Sequence, residues 1–144
     1  MKTILLKTAE LTPNWWVIDG TDKVVGRLAA KIAPMLLGKH RPDFTPHQPS
    51  GDFIIVTNVD KLKFTGRKWA NKEYNRYSGY PSGRTVLTAE QLRARNPEWI
   101  LKLAVRRMLP KNPMGYKLLT RLKMYVGPEH PHQCQQPKVL DPAL

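Results

Sequence analysis

The segment from Gly127 to Pro137, GPEHPHQCQQP, contains side chains that can bind a metal or act as a nucleophile. A glutamate, two histidines and the only cysteine of the chain fall within six consecutive positions, from Glu129 to Cys134. Imidazole and thiolate groups are ligands of zinc, and a thiolate beside an imidazole is the arrangement of a cysteine nucleophile. Either chemistry requires the rest of the chain to bring further groups to this segment.

The spacing of these side chains argues against both chemistries. Structural zinc sites usually draw their ligands from two separated pairs, whereas His130, His132 and Cys134 follow one another at every second position. Pro131 and Pro137 favour an extended conformation, in which three such ligands span too far for one tetrahedron. Cys134 is not predicted to lie at a helix start or in a pocket, where thiols become nucleophilic. We therefore predict no bound metal, no cofactor and no catalytic thiol.

Two further patterns could indicate acid-base catalysis or metal binding. Asp19 ends the first predicted strand and Asp52 opens the second, so in a parallel sheet the two carboxylates lie at opposite edges and serve turns or caps. His40 and His47 bracket HRPDFTPH, but the cations beside His40 disfavour a divalent metal and favour phosphate. This loop is interpreted as a rigid basic arm, and no catalytic residue is predicted.

The segment GTDKVVGR, Gly20 to Arg27, lies between a predicted strand and a predicted helix, where a phosphate-binding loop would lie. It has five residues between its glycines instead of four, and it lacks the lysine and hydroxyl that a P-loop needs. A nucleotide triphosphatase is therefore not expected. Gly26 is interpreted as a small residue where helix and sheet pack closely.

Charge is the strongest signal in the composition. The 144 residues include 24 Lys and Arg against 11 Asp and Glu, a net charge of +13, and no acid occurs between Glu98 and Glu129. Such an excess on a small domain destabilises the compact state unless a polyanion offsets it, so nucleic acid is the favoured partner. The single cysteine and the absence of a long apolar run predict a soluble protein of a reducing compartment, with no membrane partner.

Hydrophobic patterning predicts the elements that position these residues. WWVID at Trp15–Asp19 reads as a strand, and DFIIVTN at Asp52–Asn58 as a strand covered on both faces. Apolar positions between residues 28 and 36 predict a helix that ends at Gly38, with Pro34 on its polar face. A short strand is predicted around 62–65.

The second half of the chain is predicted to contain an aromatic arm and two helices. Residues 69–80 alternate aromatic and polar side chains and run into the loop SGYPSG, so this stretch is predicted to lie on a partner. Asn96 and Pro97 predict a helix start, with Trp99 on the buried side. A helix after Pro113 and a strand at 122–126 complete an α/β fold with a mainly parallel sheet.

Long motifs in this order resemble the bacterial form of the universal large-subunit ribosomal protein thirteen family. The motifs extend over nearly the whole chain, from residue 16 to residue 137. They are WVID, GRLA, GKHRPDFTPH, GDFIIVTN, TGRKW, SGYPSG, AVRRMLPKN, RLKMYVGPEHPH and QQP.

The resemblance implies a structural component of the large ribosomal subunit in the cytoplasm, not an enzyme. It implies a three-layer α/β/α fold with extended basic loops, in one domain over residues 1–144 whose core spans about 15–126 and whose extended C-terminal tail spans 127–144. The implied partners are large-subunit ribosomal RNA and neighbouring ribosomal proteins, and the implied role is early subunit assembly. Messenger RNA stays open as an alternative partner, and an enzyme acting on nucleotides as an alternative class.

With that partner, we expect cations to contact phosphates, tyrosines to stack on bases, glycines to let backbone approach RNA, and histidines to donate hydrogen bonds or stack. The predicted RNA-binding residues are Lys39, His40, Arg41, Arg67, Lys68, Lys72, Tyr74, Arg76, Tyr77, Gly79, Tyr80, Gly83, Arg84, Arg106, Arg107, Lys111, Arg121, Lys123, His130 and His132. Recognition of RNA shape is expected to dominate, since side chains read little sequence in a deep A-form groove.

Overall fold

A computed structural model describes residue 7 and residues 10–140. Six strands and five helices form the domain within these residues. The strands are β1 (Trp15–Asp19), β2 (Phe53–Thr57), β3 (Glu73–Tyr77), β4 (Arg84–Thr88), β5 (Leu122–Met124) and β6 (Lys138–Val139). The helices are α1 (Val25–Leu37), α2 (Lys68–Asn71), α3 (Ala89–Arg95), α4 (Pro97–Met108) and α5 (Pro113–Leu119).

A four-stranded sheet of order β5-β2-β1-β6 forms the centre of the fold, and all its pairings are parallel. The prediction of a small α/β fold with a mainly parallel sheet is confirmed. Successive side chains of a strand point to opposite faces, and Ile54 and Val56 of β2 join the hydrophobic core with α1 and α4. Ile55 is equally buried on the opposite face, as predicted for a strand covered on both faces.

Helix α1 follows its apolar pattern closely. Leu28, Ile32 and Leu36 are fully buried, because a spacing of four residues repeats one face of a helix. Pro34 lies inside the helix on the exposed side, as predicted. The helix ends at Gly38, which has a positive φ of 84° and donates its N–H to the carbonyl of Met35.

No strand forms at residues 62–65, so this prediction is wrong. Residues Val59–Lys61 form a 3-10 turn, and Lys63 makes a single bridge to Val24. The N–H of Lys63 donates to Lys23 and its carbonyl accepts from Val25. The pairing cannot extend into a ladder, because α1 begins at Val25 and turns the chain away.

The aromatic arm is a β-hairpin. β3 pairs antiparallel with β4, with Tyr74 opposite Leu87. The loop 78–83 closes it: the N–H of Ser78 donates to the carbonyl of Gly83, and the N–H of Gly83 donates to the carbonyl of Tyr80. Helix α3 follows at once, and it starts with a capping box in which Thr88 and Gln91 exchange hydrogen bonds. The sequence analysis did not identify α3.

Helix α4 begins at Pro97 as predicted, and of its predicted buried side, Trp99, Leu103 and Ala104, the last two are half-buried against the core. Ile100, Leu101 and Val105 are the buried residues, whereas Trp99 is 45% exposed, so the prediction for Trp99 is wrong. Its ring lies 5.5 Å from the Nζ atom of Lys102, one turn ahead. Trp99 is therefore part of the surface, beside a cation.

The segment after Gly127 returns to the sheet. It forms a 3-10 turn at Gln133–Gln135 and then pairs as β6 with β1, with Val17 opposite Val139. The N–H of Leu140 donates to the carbonyl of Val17. The tail is therefore extended only in part, and it binds its own domain. Among the residues described, none of the helices has both the length and the apolar composition of a membrane span.

Candidate nucleic-acid interface

Three cavities lie side by side along α4, and together they form a surface that we call the α4 groove. They have volumes of about 420, 400 and 600 Å³. Leu103 lines all three cavities, and Asn75 of the hairpin lines the second and the third. The groove is thus formed where the hairpin packs beside α4, and the start of α1 lines the first cavity and the start of α5 the second.

The charge of the groove has one sign. All the charged residues that line its three cavities are cations, although the chain as a whole contains 11 acids. Six of the predicted cations, with Tyr74 of the predicted aromatics, come together here. The lining cations are Arg27, Lys68, Lys72, Arg76, Arg95, Arg106, Arg107 and Lys111.

Aromatic rings beside these cations are exposed. Tyr116 is 53% exposed and lies 5.5 Å from the guanidinium carbon of Arg106. Trp99 and Lys102 make the corresponding pair at the other end of α4. A cation next to an exposed ring provides a positive charge and a stacking face together, which suits an unpaired base and its phosphate.

The structure does not support the stacking role predicted for Tyr74. Only 8% of this residue is exposed, and it belongs to the hydrophobic core. Burial raises the pKa of its hydroxyl, and the positive charge of Arg107 opposes that rise. Tyr74 therefore packs the hairpin onto the domain instead of presenting a ring to a base.

The tip of the hairpin carries a second group of predicted residues. Tyr77 and Tyr80 are 66% and 74% exposed, and Arg84 is exposed beside them. Gly79 has a φ of 94°, which favours glycine. Gly83 serves the loop itself, because a Cβ there would lie 2.1 Å from Oγ of Ser78. The tip thus presents two rings and one cation.

Carboxylates of the domain bind His40 and Arg41, although His40 itself is exposed at the surface. Asp52 is fully buried and lies 2.9 Å from Nε2 of His40 and 3.3 Å from Nη1 of Arg41. Arg41 also binds Asp43 with two hydrogen bonds of 3.0 Å, which raises the pKa of the guanidinium and lowers that of the Asp43 carboxyl. Because its charge is already neutralised, Arg41 is a poor phosphate ligand. Lys39 beside them is exposed.

Asp19 and Asp52 lie at opposite ends of β1 and β2, as predicted. Asp19 accepts hydrogen bonds from Thr21 and from Nδ2 of Asn58, and the bond from Asn58 is the main cause of its lowered pKa. Asp52 accepts from the N–H of Asn14 and from the indole of Trp16. The two carboxylates hold loops and do not form an acid-base pair.

The remaining predicted cations are distributed over other parts of the surface. Arg67 precedes α2 and is exposed. Arg121 donates to the carbonyl of Gly51 and lies 5.1 Å from the ring of Phe53, and burial lowers the pKa of its guanidinium. Lys123 lies in β5 and is half-buried. These residues are not part of the α4 groove.

One histidine of the segment 127–137, His132, packs against the sheet. The ring of His132 lies 5.1 Å from that of Trp15, and its Nε2 atom lies 2.7 Å from the hydroxyl of Tyr125. Trp15 in turn stacks on Phe53 at 4.3 Å. His130 is half-buried, and Cys134 is exposed. His132 therefore fastens the tail to the sheet and contacts protein.

Stability should fall as the pH is lowered from 7 to 5, and His132 should account for part of the fall. Burial, with Lys123 and His130, lowers the pKa of His132 in the folded state. The unfolded chain therefore binds the proton more readily, and stability is lost below the ordinary value of about 6.5. Asp19 and Asp43 have lowered pKa values and titrate below this window. The measurement is the Tm at pH 7 and pH 5 of the wild type and of His132→Gln, in which the difference should be smaller; an equal difference in both would contradict the assignment.

Sequence reasoning missed four of the charged or exposed aromatic groups that line the α4 groove: Arg27, Arg95, Trp99 and Tyr116. The incomplete P-loop gives no reason to place Arg27 at an interface, Arg95 belongs to the unpredicted helix α3, and the sequence places Trp99 on the buried side of α4. Arg95 could have been found from the pattern TAEQ at 88–91, since Thr followed three residues later by Gln marks a helix start.

Comparison with known proteins gives consistent matches. The family model described as ribosomal protein L13 matches residues 13–131. The large ribosomal subunit protein uL13 of Chromobacterium violaceum is 53% identical over 141 residues, which cover 98% of this chain and 99% of that protein. The proteins of the same name from Thermotoga petrophila and Salinibacter ruber are each 50% identical, over 97% and 99% of this chain and 94% and 96% of their own lengths.

Proposed function

The chain belongs to the ribosomal protein L13 family, and on that premise we propose that it binds large-subunit ribosomal RNA and supports early assembly of the subunit. The family membership that the sequence motifs predicted is confirmed. A member of this family is a structural constituent of the large ribosomal subunit in the cytoplasm and is not an enzyme. The proposal concerns how this chain performs that role.

The observation that carries the proposal is the single sign of charge in the α4 groove. Folded RNA brings phosphates together, and each fixed Lys or Arg that replaces loosely held counterions lowers their repulsion. In the groove, Arg106 and Arg107 are exposed on one helix, so they meet a phosphate backbone without first breaking an ion pair inside the domain. The clamp therefore consists of a rigid helix with the hairpin beside it.

The hairpin tip extends the same interface. Tyr77 and Tyr80 provide exposed rings for unpaired bases, and Arg84 provides a charge next to them. The positive φ of Gly79, where no other atom lies near its Cβ position, allows backbone to approach RNA there. Neighbouring ribosomal proteins are the second proposed class of partner, and the opposite face with its packed tail is available to them.

Sedimentation of a cell extract tests the proposal. The protein should travel with the large subunit at moderate salt and leave it as the salt concentration rises, because phosphate contacts release counterions. As a control, Lys117→Gln removes an exposed cation outside the groove and should travel with the large subunit as the wild type does. A protein that stays at the top of the gradient, free or with messenger RNA, would contradict the proposal.

A further inference from the structure

Gly26 lines a cavity instead of packing against the sheet. A Cβ built on Gly26 has nothing within 4 Å, and the residue is exposed. The interpretation that this glycine lets helix and sheet pack closely is therefore wrong. Its backbone is open to the first cavity of the α4 groove, which has a volume of about 420 Å³.

The cavity collects cations from three separate segments of the chain. Arg27 comes from the first turn of α1, Lys68 and Lys72 from α2 and its end, and Arg107 from the last turn of α4. They are the only charged groups among the described residues that line it. Four like charges at one cavity repel one another, so the arrangement is stabilised by an anion placed among them.

Two of these cations lie beside the same side chain, Tyr74. The Nζ atom of Lys72 lies 5.5 Å from the ring centre of Tyr74, and Arg107 acts electrostatically on the hydroxyl of the same tyrosine. Phe64 and Leu103 supply apolar lining beside them. The cavity thus combines a cationic side with an apolar side, which matches a phosphate joined to a sugar.

We propose that this cavity binds a backbone phosphate of ribosomal RNA together with its adjoining sugar, with Arg27, Lys72 and Arg107 on the phosphate and the open backbone of Gly26 beside it. The proposal rests on the proposed function, since it names one docking point within the RNA interface. It adds Gly26 and Arg27, in the motif GRLA, to that interface. The N-terminal end of α1 adds positive potential to that of the four cations.

The test is the affinity of the full chain for deproteinised large-subunit ribosomal RNA, measured by filter binding at fixed salt. Arg27→Gln should bind about tenfold more weakly or worse, as expected for one charged hydrogen bond. The matched control, Lys117→Gln, removes the same charge outside the groove and should change the affinity less than about twofold.

Gly26→Ala separates binding from folding. Alanine is the better helix former, so Tm should stay the same or rise by about 2–4 °C. Its methyl group enters the open cavity and should nevertheless weaken RNA binding about fivefold. A merely structural glycine would give the opposite pattern, with lower Tm and unchanged binding by the folded protein.

The possible outcomes separate a failure of the proposed function from a failure of the cavity assignment. If the wild type does not bind this RNA, the proposed function fails and the cavity assignment fails with it. If the wild type binds and Arg27→Gln and Gly26→Ala match the Lys117→Gln control, only the cavity assignment is overturned. If millimolar inorganic phosphate shifts the amide resonance of Gly26 while both variants bind RNA like the control, the cavity binds free phosphate and its assignment to RNA is overturned.

Discussion

Replacement of Asp52 by Ala is expected to lower the free energy of unfolding by about 3–5 kcal/mol, because it breaks a buried charge cluster. Asp52 is fully buried and accepts from the backbone of Asn14, the indole of Trp16, the imidazole of His40 and the guanidinium of Arg41. Each donor left without its partner costs about 1–3 kcal/mol when it cannot reach water. The loss therefore affects the N-terminal segment, β1 and the loop after α1 at once.

Urea unfolding followed by circular dichroism measures this effect. Glu90→Ala is the control, since it removes an exposed carboxylate from the first turn of α3 and should cost less than about 1 kcal/mol. Asp52→Asn keeps one acceptor oxygen and should give an intermediate loss. An unfolding midpoint of Asp52→Ala equal to that of the wild type would show that the cluster does not hold the fold.

The largest expected effect on RNA affinity comes from Arg106 and Arg107 together. We expect Arg106→Gln/Arg107→Gln to bind large-subunit ribosomal RNA about 100-fold more weakly or worse, since each of the two hydrogen bonds to a charged group contributes about 1.5–3 kcal/mol. Both side chains are exposed, and the contact of Arg106 with Tyr116 contributes only about 0.5–1 kcal/mol at an exposed site. Tm should therefore change by no more than a few degrees.

Two further variants identify the cause of that loss. Lys61→Gln/Lys117→Gln removes two exposed charges outside the groove and should reduce affinity only slightly. Arg106→Lys/Arg107→Lys keeps the charges but not the planar forks, so it should retain most of the salt dependence and only part of the affinity. A large fall of Tm in the Gln double variant, with RNA affinity unchanged, would mean that these arginines hold the fold.

Local periodicity explains why much of the fold could be predicted. The apolar stripe of α1 and the continuous apolar run of β2 are local patterns, and both elements occur where the patterns indicate. A strand of two residues such as β6 has no periodicity to read, and its partner β1 lies about 120 residues earlier in the chain. Neither its pairing nor the contact of His132 with Trp15 could be read from residues 127–139.

The residues of the candidate site could likewise be predicted only in part. The local composition of the sequence indicates the basic stretch on α4 and the aromatic arm, so most cations of the groove could be predicted. A sequence shows which residues are charged but not which residues pair with them. Asp52, whose carboxylate binds His40 and Arg41, lies at the other end of the loop that contains them. The error on Trp99 has a different origin, since a rotation of less than half a turn decides which side of a short helix is buried.

The order of synthesis determines how long β1 is present before β6 can pair with it. The edge of β1 is made early, and Lys138 and Val139, which cover it, are made about 120 residues later. At translation rates of about 5–20 residues per second, that edge waits roughly 6–24 seconds for its partner. An open strand edge is a template for pairing with other chains. The pairing of β6 with β1 thus ends the period in which this edge is open to other chains. The ring of His132 on Trp15 then holds the edge closed.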